Sequence, residues 1–278
     1  MKKALALSIV IALEVTWLAS CTLPHAQTIP PSVSVPSTCS SIQSGLSFLH
    51  ERFSPNLGLL NESPQVAPHR YWLTNDNALA AFSFAQLNEP EMSATLTDSL
   101  KRYGHTTNGL IEIIWGVPVT FPPYVERNIQ TGEIGQAEVW YESHEPSPNA
   151  ARFDDWIEYS NLAFLGALNE HNQRRNNQAR KIFANALTKF DGVGFRDKAF
   201  TDGRYETYKL ALALYVGSKI AAPLDESDVK ISIVLKKMQA ANGGFYTHYR
   251  DFQTPDGDTN TETTAFALLA LGSYSCSN

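Results

Sequence analysis

Four stretches of the chain open an apolar run with acids or amides: Trp72-Leu73-Thr74-Asn75-Asp76-Asn77-Ala78-Leu79, Trp156-Ile157-Glu158-Tyr159-Ser160-Asn161-Leu162, Tyr205-Glu206-Thr207-Tyr208-Lys209-Leu210 and Asn260-Thr261-Glu262-Thr263-Thr264-Ala265. Aligned on their apolar residues, Thr74, Glu158, Glu206 and Glu262 fall in register. Two carboxyls across a cleft can act as proton donor and proton acceptor when their surroundings separate their pKa values. Asp76, an acid between two amides, is the first catalytic candidate. Glu206 is its chosen partner, with Asp155 and Glu158 behind it. Trp72, Asn75, Trp156, Tyr205, His248 and Glu262 are candidates for holding a sugar-like substrate. Each acid also has an ordinary reading as a helix cap, and each aromatic as core packing.

Other chemistries find less support. Asp251, Asp256 and Asp258 could offer oxygens to calcium, but their spacing is not that of an EF-hand and a solvated loop is the simpler reading. His248 has no second His or Cys nearby for zinc, so no metal is assigned. Neither a phosphate-binding glycine loop nor a Gly-x-Ser-x-Gly elbow occurs, and no cofactor is expected. His69, Arg70 and Tyr71 could serve a glycan lyase, but an acidic pit would repel a uronate. With 22 Lys+Arg against 28 Asp+Glu, the net charge of −6 leaves no basic face for nucleic acid.

The elements that must position these residues recur. Gly58-Leu59, Gly109-Leu110, Gly194-Phe195 and Gly244-Phe245 each follow a helical stretch and precede a second, more apolar one. The first helices are expected at Ser40–Phe53, Glu89–Tyr103, Gln173–Phe190 and Asp225–Ala240, amphipathic and outward. The second helices are apolar almost all round and should be buried on every side. Outer amphipathic helices around inner apolar ones predict an all-α fold, an α/α toroid or open arc of about four helical hairpins whose inner N-termini surround a pit. An insertion over 110–142 lengthens the middle unit. Leu110–Trp115 and Val117–Phe121 read as strands, and Val125–Ile129 and Ala137–Tyr141 as a hairpin turning at Gln130-Thr131-Gly132-Glu133.

The run Met238-Gln239-Ala240-Ala241-Asn242-Gly243-Gly244-Phe245, followed by Thr261-Glu262-Thr263-Thr264-Ala265-Phe266-Ala267-Leu268-Leu269-Ala270-Leu271, resembles a repeat of the α/α-toroid superfamilies. These include terpenoid cyclases, protein prenyltransferases and thioester domains, with six-hairpin glycosidases as a related architecture. The resemblance implies a fold and does not by itself imply a chemistry. The aspartate-rich motif of the cyclases is absent, and no cysteine is left over as a thioester or zinc ligand.

At the other end, Lys2 and Lys3 precede an apolar run from Ala4 to Leu13, the form of a secretory signal too short to span a bilayer comfortably. Leu18-Ala19-Ser20-Cys21 resembles the lipobox of bacterial lipoproteins, which implies a signal peptide over 1–20 and a lipid on Cys21. Plain secretion with cleavage elsewhere is the alternative. Thr22 after the cysteine suggests an outer membrane, if the cell has two. Residues 21–37, rich in Pro, Ser and Thr, read as a tether to a domain over 38–278. Cys39 and Cys276 remain, and an oxidising envelope favours their pairing over two separate thiols. The sequence thus predicts an extracytoplasmic lipoprotein of the cell envelope with an acidic, aromatic-lined pit. It would be a glycan-active hydrolase or a non-catalytic module binding carbohydrate or an envelope protein. Mass spectrometry of the mature protein should find a diacylated N-terminal Cys21; an unlipidated cysteine would remove the anchor.

Overall fold

The computed structural model describes residues 36–65, 70–104, 107–222 and 226–273. Cys21, Cys276 and His69, with the expected signal peptide and nearly all of the tether, lie outside these residues. Cys39 sits in the first turn of the first helix.

The paired helices form because their apolar residues recur at helical spacing. The chain runs α1 (Thr38–Glu51), α2 (Thr74–Gln86), α3 (Pro90–Arg102), α4 (Ile111–Ile114), α5 (Ser160–Asn172), α6 (Asn176–Leu187), α7 (Thr207–Lys219), α8 (Glu226–Lys237) and α9 (Thr261–Gly272). In α6 the buried residues are Ala179, Ile182, Phe183 and Ala186, one stripe of an amphipathic helix. In α9 they are Thr261 and everything from Thr263 to Leu271, so that helix is buried on all sides. The inner helices α2, α9, α7 and α5 pack side by side in that order, and α4 touches both α5 and α2. Close approach is permitted by small residues. A side chain on Gly45 would strike Leu268, one on Gly244 would strike Phe48, and Ser83 of α2 donates to the Ala265 carbonyl of α9 at 3.0 Å.

The expectation of an all-α toroid is overturned by three sheets. Among the described residues eight strands accompany the nine helices, so the fold is mixed α/β. Strands β1 (Phe53–Ser54) and β2 (Leu59–Leu60) pair antiparallel. Strand β3 (Tyr71–Leu73) lies parallel to β5 (Ala137–Ser143), which is antiparallel to β4 (Arg127–Ile134). Strand β7 (Phe245–Asp251) stands between β6 (Tyr205–Glu206) and β8 (Thr254–Asn260). The short strands fall where the sequence predicts helix ends and the openings of apolar helices, because two or three residues carry no alternation to detect. The β7–β8 hairpin was missed because Thr254-Pro255-Asp256-Gly257-Asp258 is poor in strand formers.

Within the insertion, the hairpin exists but turns later than expected. Gln130 to Glu133 are inside β4, which shifts register between Gln130 and Gly132, and the turn falls at Gly135, where φ is +66°. Leu110–Trp115 and Val117–Phe121 are not strands. The first contains α4, whose entry is capped by the Asn108 side chain accepting from the N–H groups of Leu110 and Ile111 at 2.8 and 2.7 Å.

Strands lead directly into helices at three places: Leu73 into Thr74, Glu206 into Thr207 and Asn260 into Thr261. The N-termini of α2, α7 and α9 are thereby tied to sheets. Asn77, fully buried, fixes the first of these. Its side chain accepts from the Leu60 N–H at 2.6 Å and donates to the carbonyls of Leu60 at 3.0 Å and Leu73 at 2.8 Å. Asn77→Ala should therefore cost about 2–4 kcal/mol in chemical denaturation, from three buried backbone groups left without a partner. A change within a few tenths would mean that the strands are held by packing alone.

Candidate functional site

Three consecutive residues at the start of α2 build the site. Asn75 grips the backbone of Glu142 twice, donating to its carbonyl and accepting from its N–H, both at 2.8 Å. Asn77 holds β2, just ahead of Glu62. Between them Asp76 is only 4% exposed. Glu62 is held by α9: its carbonyl accepts from the Thr261 N–H at 2.9 Å, and its Oε1 from Asn260 Nδ2 at 2.7 Å. The two amides thus bring two further carboxyls, Glu62 and Glu142, to either side of Asp76.

The carboxyls crowd one another. Burial pushes Asp76 well above the usual carboxylate range, and the charge of Glu62, a hydrogen bond with it, and the charges of Glu262 and Glu142 push further. No N–H or O–H of the protein donates to Asp76 Oδ2 or Glu62 Oε2. Burial, then Glu126 and Glu62, raise Glu142 to about 8. Glu262 is likewise pushed well up by burial and by Glu142, Glu62, Glu206 and Glu126. Glu62, Glu142, Glu206 and Glu262 nevertheless each keep part of their surface in solvent. Asp76 is thus the most deeply buried member of a cluster of partly exposed carboxyls.

A buried cation enters this arrangement, and Arg204 also feels the charge of Glu206. Lys209 is 2% exposed, and its Nζ lies 2.7 Å from both Asp197 Oδ2 and Glu206 Oε2. Asp197, fully buried, also accepts from the Ser160 N–H at 2.7 Å and so joins the N-terminus of α5 to α7. Glu206 is therefore the carboxyl of the cluster with the buried Lys209 beside it. Tyr208 hydrogen-bonds Glu206, and burial, with the nearby acids, raises its phenol well above its ordinary value. His248 pairs across the sheet from Glu206, and burial lowers its imidazole.

Of the residues expected from sequence, the structure brings together Asp76, Glu206, Glu262 and His248, with Asn75 committed to the backbone of Glu142. Asp155 and Glu158 stand apart, on the exposed ammonium of Lys198. Trp72 is buried with Leu57, Leu59, Leu100 and Val139. Trp156 packs edge-on against Phe121 with ring centres 4.9 Å apart. Tyr205 stacks on Tyr249, and its hydroxyl donates to Asp191 at 2.7 Å. Asp251, Asp256 and Asp258 are scattered along the β7–β8 hairpin, the latter two on Arg250 and Ser63. No three His, Cys, Asp or Glu side chains among the described residues are grouped as metal ligands.

Sequence reasoning missed Glu62, Glu142, Lys209 and Tyr208. For Glu142 a signal exists: along β5 the residues alternate, placing Glu138, Trp140 and Glu142 on one face. Glu62 carries none, since only long-range pairing brings it to Asp76.

A carboxyl raised by folding holds a proton that the unfolded chain has released. For Glu142 the resulting stability is complete below the ordinary value of 4.5 and is lost as the pH climbs toward about 8. His144 and His248, lowered from 6.5 by burial, act in the opposite sense but only below that value. The melting temperature should thus fall between about pH 7 and pH 8, where histidines have finished titrating. In Glu142→Gln the fall should be shallower; an identical slope would take Glu142 out of this account. No protein-family model, curated protein or solved structure matches the chain, so the geometry of these carboxyls is what a functional reading rests on.

Proposed function

We propose that the protein is an extracytoplasmic enzyme, anchored through a lipid on Cys21, that hydrolyses a hydroxyl-rich glycan, uncharged or cationic, by paired-carboxyl chemistry. The observation that supports this is the contrast between Glu262 and Glu206. Both are partly exposed members of the same cluster of carboxyls. The first is pushed toward its protonated form by burial and by Glu142 and Glu62, while the second stands beside the buried Lys209 ammonium. A proton donor and a proton acceptor are thereby available together.

In this reading Glu262 donates its proton to the glycosidic oxygen as the bond to the anomeric carbon breaks. Glu206 takes a proton from the attacking water, whose oxygen completes the new hemiacetal. Asp76 is too deep to meet a polymer, and Glu62 is committed to α9. They are positioning residues; the charge of Glu62 helps to keep Glu262 protonated. Asn75 acts through Glu142 in the same way. A disulfide between Cys39 and Cys276 belongs to this proposal, since α1 packs on α9, the last described helix.

Release of reducing ends from cell-wall and storage polysaccharides measures the activity. Glu262→Gln and Glu206→Gln should each lower kcat by about 10²–10⁴-fold. Glu62→Gln should instead move the basic limb of the pH profile to lower pH, because Glu262 loses a negative neighbour. Glycan binding that survives both glutamine variants, with no turnover by the wild type, would identify a non-catalytic carbohydrate-binding module and overturn the enzyme.

A further inference from the structure

We propose that the outward face of α8, together with the tip of the β7–β8 hairpin, rests on an anionic lipid surface, the one that holds the chain's anchor. The inference goes beyond the glycan reading and rests only on the Cys21 anchor proposed with it. On the inner side of α8, which packs on α7, Asp228, Ile231, Val234 and Leu235 are buried. On the outer side Val229 and Ile233, one turn apart, are 61% and 39% exposed. Lys230, Lys236 and Lys237 fall on the same arc at about 3.6 residues per turn. Lys237 carries the face onward, since its Nζ stands 5.8 Å from the ring centre of Phe252, itself 40% exposed at the hairpin tip. No acid occurs between Val229 and Lys237, and Glu226 and Asp228 are at the other end of the helix. Asp251, beside Phe252, accepts from the Gln253 N–H at 2.8 Å and from the Thr254 hydroxyl at 3.1 Å.

Composition and position both favour lipid as the occupant. Apolar side chains interleaved with lysines suit an interface, where the former enter the acyl boundary and the ammoniums, on flexible stems, stay among anionic headgroups. The whole chain carries −6, so this concentration of cations runs against its average. The other large apolar side chains exposed among the described residues, Val117, Val125, Ile129 and Ile134, lie in the insertion, where Glu126 and Glu133 adjoin two of them. Val229, Ile233 and Phe252 together offer far less than the roughly 800 Å² per partner of a stable protein interface. As to position, the tether joins the domain at the start of α1, and the segment after the basic end of α8 is packed there. Gln239 donates to the Ser41 carbonyl at 2.8 Å, and a side chain on Gly243 would strike the Ser44 carbonyl. The first turn of α1 holds no acid. Residues 22–37 reach at most about 55 Å at full extension, and α8, 12 residues long, measures about 18 Å. A lipid on Cys21 therefore keeps the face within reach of the bilayer, and tethering makes a lasting contact of a patch too small to hold lipid alone.

The full lipidated chain, reconstituted in vesicles of phosphatidylethanolamine and phosphatidylglycerol, tests this when treated with a water-soluble amine-acetylating reagent and read by peptide mass spectrometry. Lys230 and Lys237 should react at least about fivefold more slowly than in the same chain carrying Val229→Asp and Ile233→Asp, the factor expected from one ammonium held at an anionic surface. Exchanging phosphatidylglycerol for phosphatidylcholine should also raise both rates in the unsubstituted chain, which tests the surface without any change to the fold. Lys101 on α3, which packs on α2 and not on α7, should react equally throughout. Unchanged rates at Lys230 and Lys237 in both comparisons would overturn the lipid-facing surface and leave the anchor and the hydrolase in place. Slow acetylation accompanied by crosslinking of α8 to α8 of a second chain would overturn it in favour of self-association. A mature N-terminus without the lipid on Cys21 would overturn the anchor and this inference together, and release of reducing ends would still measure the hydrolase by itself.

Discussion

A carboxyl buried beside other carboxyls is unfavourable unless the chain around it is fixed by stronger interactions, and Asp76 is such a group. Bringing one ionised carboxylate out of water costs several kcal/mol even after relaxation, and a like-charged neighbour adds to it. Asn75 and Asn77 supply the compensation. Their five hydrogen bonds go to backbone groups of β2, β3 and β5. Backbone groups of edge and end residues, which would otherwise be left unpaired on burial, are satisfied by the same two amides. The strands are held in the arrangement that keeps the acids together, so the local cost and the local gain cannot be separated.

The remaining acids follow from that placement. Asn75 fixes Glu142, while the hydrogen bonds from Asn260 and Thr261 fix Glu62 to α9. Glu206 is drawn to Lys209, whose second partner, Asp197, reaches the start of α5. Four inner helices therefore meet at their N-terminal ends through polar contacts, while their bodies meet through Ala, Leu and Phe. The apolar contacts make the fold stable, and the polar ones gather the carboxyls at one end of it.

How much of this the sequence carries depends on the range of the interactions involved. The long helices are legible because Ala179, Ile182, Phe183 and Ala186, or the unbroken apolar run of α9, state their period directly. Asp76, Glu206 and Glu262 are legible because each follows an aromatic or amide turn that opens an apolar helix. The sheets are not, since Tyr71–Leu73 becomes a strand only by finding Glu138–Trp140 far along the chain. The same holds for Glu62 and Lys209. Neither residue has a neighbour in sequence that announces a role, and both acquire one from partners supplied by tertiary packing. Asp155 and Glu158 looked equivalent to Glu206, but the exposed Lys198 lies beside them and keeps them at the surface.

The hydrogen bond from the Thr261 hydroxyl to the Asn61 carbonyl, 2.7 Å long, joins residues two hundred positions apart. Its partners lie next to Glu62 and Glu262. A contact of that span cannot form locally, so the acids on either side of it are crowded only once α9 has docked. The repulsion among them is a property of the docked helix and of neither segment alone.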